Sequence, residues 1–409
     1  MARRVVATQS TLAELQERPV RYAERMKRMS TAATFEMLAR GKALEAQGRS
    51  IVHLGIGEPD FDTPLHIREA AERAMREGWT HYGPAAGLPD LRAAIAKDWQ
   101  VQRGIPCGPE HVVVTPGAKP ILFFTMLATL EPGDEVLIPS PAFPTYASVA
   151  SFLDARVVPV PLDAARGFDL DLAAVRERLN SRTRMIVLNS PHNPTGGVLP
   201  LATLHALAGL AEKHDLLILS DEIYSRMVYE ADAPSIASLP GMAERTAVVD
   251  GFSKTWAMTG WRLGFGILPE PLAKHVATLM NNSNSCTASF VQKAGLAALE
   301  GSQAPVEAMM REFRARRDLF VEGLNALPGV SCAPPAGAFY TFPDIRATGF
   351  TSEALAEALL EETGVVTLPG TGFGPEGEGF LRLSYAHSQD ALREALTRIG
   401  TFLKARVRA

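Results

Sequence analysis

Between about residues 63 and 299, short apolar runs rich in β-branched residues alternate with segments whose apolar positions recur at helical spacing. The runs fall at 111–115, 135–139, 156–160, 185–189, 216–220, 246–250 and 263–268, and helical patterns such as 118–130 and 201–214 lie between them. Strands that alternate with helices in this way predict an α/β region with a mostly parallel, doubly wound sheet. Such sheets bind ligands beyond the carboxyl ends of their strands, so the polar residues that close each run are the ones that matter. After Gly301 the pattern changes. A long amphipathic helix (304–327) is followed by strand patterns at 330–332, 339–342 and 380–384, a helix near 352–362 and a final helix over 389–404. These predict a smaller α+β unit. Ahead of the large region, apolar positions at helical spacing over 34–47 end at Gly48, a C-cap residue, and a short strand from Ile51 runs into a Gly/Pro-rich loop. The expected organisation is an extension over 1–25, a first part of the small domain over 26–62, a large domain over 63–300 and the rest of the small domain over 301–409.

Composition narrows the class. The 409 residues are 46% hydrophobic and 21% charged, as in a globular chain with a full core. A net charge of -4 argues against nucleic acid or an anionic membrane as partner. No apolar run is long enough to span a bilayer, and residues 1–10 lack the apolar core of a signal peptide. The three cysteines, Cys107, Cys286 and Cys332, are far apart and read as reduced thiols of a cytoplasmic protein. The nine histidines form no metal-ligand spacing, so no metal is expected.

Four of the predicted strands end in motifs with chemical content. Pro116-Gly-Ala-Lys119 is a glycine turn leading into a helix, where backbone N–H groups favour a phosphate. Asn189-Ser-Pro-His-Asn-Pro-Thr-Gly-Gly197 is a stiff loop that aims the amide of Asn193. Ser220-Asp-Glu-Ile-Tyr224 brings a carboxylate out of an apolar strand, which is costly unless it meets a cation. Lys254, in Ser253-Lys-Thr-Trp-Ala-Met-Thr-Gly-Trp-Arg262, sits among apolar and small residues that disfavour the ammonium form. A neutral lysine amine is what Schiff-base chemistry with a carbonyl requires.

Together with Gly57-Glu-Pro-Asp-Phe and Arg382-Leu-Ser-Tyr-Ala, these motifs resemble, in order and spacing, the fold-type I pyridoxal-phosphate enzymes of the class I/II aminotransferase family. The resemblance runs from about residue 30 to 405. It implies that Lys254 carries the cofactor as a Schiff base and then shuttles the substrate's proton. It implies that Asp221 pairs with the pyridine nitrogen, and that Tyr224 and Asn193 hydrogen-bond the phenolic oxygen. By the same resemblance Arg262, Ser253 and the amides of Gly117, Ala118 and Lys119 hold the phosphate, and Phe143 stacks on the ring. Arg382 clamps the substrate α-carboxylate, with Asn193 and the backbone of Gly57 nearby. Tyr82 reaches the phosphate across the interface of a homodimer.

The implied activity is ping-pong transfer of an amino group from an L-α-amino acid to an α-keto acid. Same-fold enzymes that catalyse elimination, cyclisation or oxidation keep the same motifs and remain the alternative. A DNA-binding regulator built on this fold is not expected, because only about 25 residues precede the match and the charge is acidic. Phe143 stands where the best-known aspartate-specific members carry Trp, and His192 where many bacterial relatives have Asn. No second cation for a side-chain carboxylate is legible, and Ile56 with Gly337-Ala-Phe-Tyr340 reads as an apolar wall, so a broad or neutral/aromatic substrate range is expected.

Overall fold

The computed structural model describes residues 20–29, 33–230 and 232–407. Most of the expected extension, including Arg3, Arg4, Glu14 and Arg18, lies outside the described residues.

All seven apolar runs of the large region are strands: β2 (Val112–Thr115), β3 (Glu135–Ser140), β4 (Arg156–Asp163), β6 (Thr183–Asn189), β7 (Leu217–Asp221), β8 (Thr246–Gly251) and β9 (Gly264–Ile267). With the short β5 (Asp169–Leu170) they form one eight-stranded sheet of order β2-β9-β8-β7-β6-β3-β4-β5. Five consecutive strands, β8 to β4, run parallel. β9 is antiparallel to both of its neighbours, and the short β5 is antiparallel to β4.

The continuous apolar runs follow from burial on both faces. Successive side chains alternate between two helical layers. Val136, Ile138, Met185, Val187, Leu219 and Val249 pack with the helices Lys119–Thr129, Thr145–Phe152 and Glu270–Ser283. Leu137, Ile186, Leu188 and Ile218 face the helix Leu201–His214, and Val112, Val114 and Val248 face Pro89–Arg103 and Ser289–Glu300.

A separate core joins the two ends of the chain. Met37, Val52 and Leu54 pack with Phe313, Phe320, Phe339, Leu359, Leu383 and Phe402. β1 (Val52–His53) pairs in parallel with β11 (Val365–Val366), at Val52↔Val365. β13 (Leu381–Ser384) lies between β10 (Tyr340–Thr341) and β12 (Leu368–Pro369). The 330–332 segment forms only an isolated bridge at Ser331, and the helix near 352–362 changes to a wider π turn at Leu359–Thr363.

Candidate active site

At the carboxyl ends of β3, β6, β7 and β8 a cavity of about 310 Å³ opens between the sheet and the second core. Gly57, Ala118, Lys119, Phe143, Asn193, Asp221, Tyr224, Ser253, Lys254, Arg262 and Arg382 all line it. Sequence separation across the group reaches from Gly57 to Arg382, so only the fold brings them together.

Lys254 follows β8 by three residues, and its Nζ donates to the Gly57 carbonyl at 2.5 Å. Burial lowers its pKa from 10.5 to about 8, with Arg382, Arg262 and Lys119 adding repulsion and Glu58 opposing them. A substantial fraction of the side chain is therefore a neutral amine near pH 8.

Asp221 closes β7 and is buried. Its Oδ2 accepts from the Tyr146 hydroxyl at 2.7 Å and its Oδ1 from the Ile223 N–H at 3.2 Å. No ion pair to it is present among the described residues. Burial outweighs both hydrogen bonds and raises its pKa to about 6. Arg382, on β13, is the mirror case. It is 6% exposed, stacks on the rings of Tyr340 and Phe373, and donates only to Asn193 Oδ1 (3.2 Å) and the Gly55 carbonyl (2.5 Å). Its Nε has no partner, and no carboxylate pairs with it among the described residues. Burying a charge without its counter-ion costs on the order of several kcal/mol. A ligand that is cationic toward Asp221 and anionic toward Arg382 relieves both.

The third corner is built for an anion. Gly117 has φ 87°, and a Cβ there would overlap the Arg262 guanidinium. Gly264 on β9 packs so closely on the 117–118 backbone that only glycine fits. Arg262, itself at φ 53°, donates to the Thr259 and Pro116 carbonyls and, among the described residues, to no carboxylate. The Gly117 N–H is already engaged by the Thr115 carbonyl at 2.8 Å, unlike the free donor expected from the motif. At the start of the helix Lys119–Thr129, Pro120 has no N–H and the Ile121 N–H is taken by the Ala118 carbonyl at 3.1 Å, which leaves the amides of Ala118 and Lys119. Guanidinium and helix N-terminus thus converge where a phosphate fits.

Phe143 and Ser253 line the same cavity. Tyr82 does not: it is 89% exposed and borders an open recess with Trp79, His81, Cys286 and Phe290. Ile56 is not among the lining residues either.

Several lining residues went unread in the sequence. Tyr146, in the first turn of the helix Thr145–Phe152, lines the cavity beside Phe143 just ahead of that helix, their rings edge to face with centroids 5.6 Å apart. Tyr340, expected only as wall, bonds the Tyr224 hydroxyl at 2.7 Å. Phe373 and Leu38 close the cavity from the second core, and no local signal marks either.

The profile of the aminotransferase class I and II family matches residues 49–399. An aspartate aminotransferase of Pyrococcus horikoshii is 43% identical over 379 residues, covering 92% of this chain and 96% of that one. An arginine–pyruvate transaminase of Pseudomonas aeruginosa is 41% identical, covering 90% and 94%. The solved structure of Thermus thermophilus aspartate aminotransferase with maleate superposes with a TM-score of 0.90 at 40% identity, covering 94% of this chain and all of that one.

Proposed function

The chain belongs to the class I and II aminotransferase family and is a transaminase; from that premise we propose that it holds pyridoxal phosphate in the cavity around Lys254 and acts on a dicarboxylic amino acid. Aminotransferases of this fold use that cofactor. The observation that carries the reading is the pair of buried charges, Asp221 and Arg382, each without an ion pair among the described residues, lining one cavity with a deprotonatable lysine.

Bound there, the cofactor supplies a carbonyl for the amine and a ring that accepts electrons from the substrate's Cα–H bond. The chain's residues do the rest. Arg262 and the helix N-terminus bind the phosphate, and Phe143 orients the ring. Asp221, held by Tyr146, keeps a proton on the ring nitrogen. Tyr224 and Asn193 hydrogen-bond the ring's oxygen. Arg382 orients the substrate by its α-carboxylate, and Lys254, once displaced, takes the proton from Cα. Transfer is favoured over elimination, cyclisation or oxidation by the names of the relatives, which span acidic and basic donors. Amino-group transfer to an added α-keto acid is the expected result with purified enzyme. Ammonia release without an acceptor would overturn it.

A charge count supports the dicarboxylic donor. Lys119, Lys254, Arg262 and Arg382 line the cavity. Once the phosphate takes Arg262 and the α-carboxylate takes Arg382, Lys119 is the cation left over. Its ammonium lies 5.2 Å from the Phe143 ring and has no carboxylate partner among the described residues. The neutral preference expected from sequence rested on finding no such cation. The relative solved with maleate, a dicarboxylate, agrees in kind. Lys119→Met is expected to lower kcat/KM for aspartate by about 10- to 100-fold, the worth of a charge-assisted hydrogen bond. For leucine the change stays within about threefold. Equal losses for both donors would remove Lys119 from side-chain recognition.

The exposed Tyr82 supports an active homodimer in which its hydroxyl reaches the partner's phosphate site. Tyr82→Phe is then expected to weaken cofactor affinity by about tenfold or more, read by equilibrium dialysis. Sedimentation showing a fully active monomer would refute this. The three unpaired cysteines support a reducing compartment, the cytoplasm.

A further inference from the structure

Beneath the cavity, on the sheet face shared with Val248, lies a second layer of buried polar groups. Glu222, next in sequence to Asp221, accepts from Ser220 Oγ (2.9 Å) and Ser235 Oγ (2.6 Å) and pairs with Arg103 at 3.1 Å. Arg226 pairs with Asp98 and covers the Trp256 ring. The two guanidiniums and two carboxylates neutralise one another. Asp250 is the remainder: 4% exposed, with no ion pair among the described residues. Burial raises its pKa to about 8, although Arg226 and Arg103 pull the other way. Burial thus favours the neutral form of this carboxyl over the carboxylate.

Its hydrogen bonds bridge two turns. Oδ1 accepts from the Gly251 N–H at 2.6 Å, and Oδ2 accepts from Ser225 Oγ at 3.2 Å. Ser225 directly follows Tyr224, and Gly251 precedes Lys254 by three residues. The β7–β8 register ends at Asp221↔Val249, with one more backbone bond from Glu222 N–H to the Val249 carbonyl. Beyond that point the Asp250 carboxyl is a side-chain tie between the turn bearing Tyr224 and the turn bearing Lys254.

We infer that Asp250 is a positioning residue, which through Ser225 and Gly251 sets the placement of the Tyr224 hydroxyl relative to the Lys254 amine. The inference rests on the cofactor reading above, because both groups act on the same bound molecule. Small displacements of reacting groups are expensive, on the order of a hundredfold in rate for an ångström.

The test compares holoenzymes of Asp250→Ala, Asp250→Asn and Ser225→Ala by steady-state kinetics and by pH titration of the visible cofactor band. The alanine variants are expected to lose about 10- to 100-fold in kcat, with KM within about threefold. The midpoint of their visible band shifts by about half a pH unit or more. Asp250→Asn keeps both contacts, its amide oxygen accepting from the Gly251 N–H and its NH2 donating to Ser225 Oγ in place of the bond that Ser225 donates to Asp250, and is expected to restore wild-type kcat and midpoint. If Asp250→Ala does not fold, Ser225→Ala and Asp250→Asn decide. A Ser225→Ala enzyme with unchanged kcat and midpoint would overturn the inference, as would Asp250→Asn behaving as badly as alanine. A wild-type protein that takes up no visible band would instead refute the cofactor reading.

Discussion

Replacing Lys254 by alanine is expected to abolish borohydride-stable attachment of pyridoxal phosphate and to lower turnover by at least about 10²–10⁴-fold, the usual contribution of a positioned proton carrier. No second amine replaces it. Lys119 also lines the cavity, but its ammonium lies 5.2 Å from the Phe143 ring, whereas that of Lys254 contacts the Gly57 carbonyl. The pH dependence has a definite sign. Only the neutral amine attacks a carbonyl, and burial brings the Lys254 pKa down from 10.5 to about 8. The rate of cofactor attachment to the cofactor-free protein should therefore rise with pH to a midpoint near 8. A midpoint near 10.5 would mean that burial does not prepare this lysine, and label retained by the alanine variant would move the attachment site elsewhere.

Removing Arg382 carries the second large effect. Its guanidinium is buried, its Nε is unpartnered and no carboxylate answers it among the described residues. Truncating one partner of a buried charge pair costs about 2–5 kcal/mol, which is roughly 30- to 5,000-fold in kcat/KM. Because every donor and every keto acceptor carries the α-carboxylate, Arg382→Ala should depress all of them together. Arg382→Lys should recover only part, since an ammonium cannot reproduce a planar two-point contact or the stacking on Tyr340 and Phe373. A loss confined to dicarboxylic donors would exchange the roles of Arg382 and Lys119. Comparison of the two variants on aspartate and leucine separates these outcomes.

The large sheet was legible because its strands are buried on both faces. A strand in that position carries an unbroken apolar run, such as 112–114 or 136–139, with little else to mistake it for. The small elements were harder. β10 falls within the expected 339–342 strand, whereas β12, also two residues long, was not expected and takes its conformation from β13 beside it. The same contrast runs through the site. Lys254, Asp221, Asn193 and Arg262 are set at strand ends within motifs that mark them. Tyr146 and Phe373 sit in ordinary-looking segments and matter only for what lies opposite.

Residue chemistry and local pattern by themselves determined the architecture, the family resemblance and the residues facing the proposed cofactor. These depend on periodicity and on side-chain types at strand ends, which a linear chain displays. What the tertiary structure alone decided is which charges lack partners. Arg382 and Asp221 could each have been ordinary ion pairs in sequence. Lys119 was readable only as part of a phosphate turn, and Asp250 as one more polar residue before a lysine. A charge's worth depends on its burial and on what stands within a few ångströms, and both are set by segments distant in the chain.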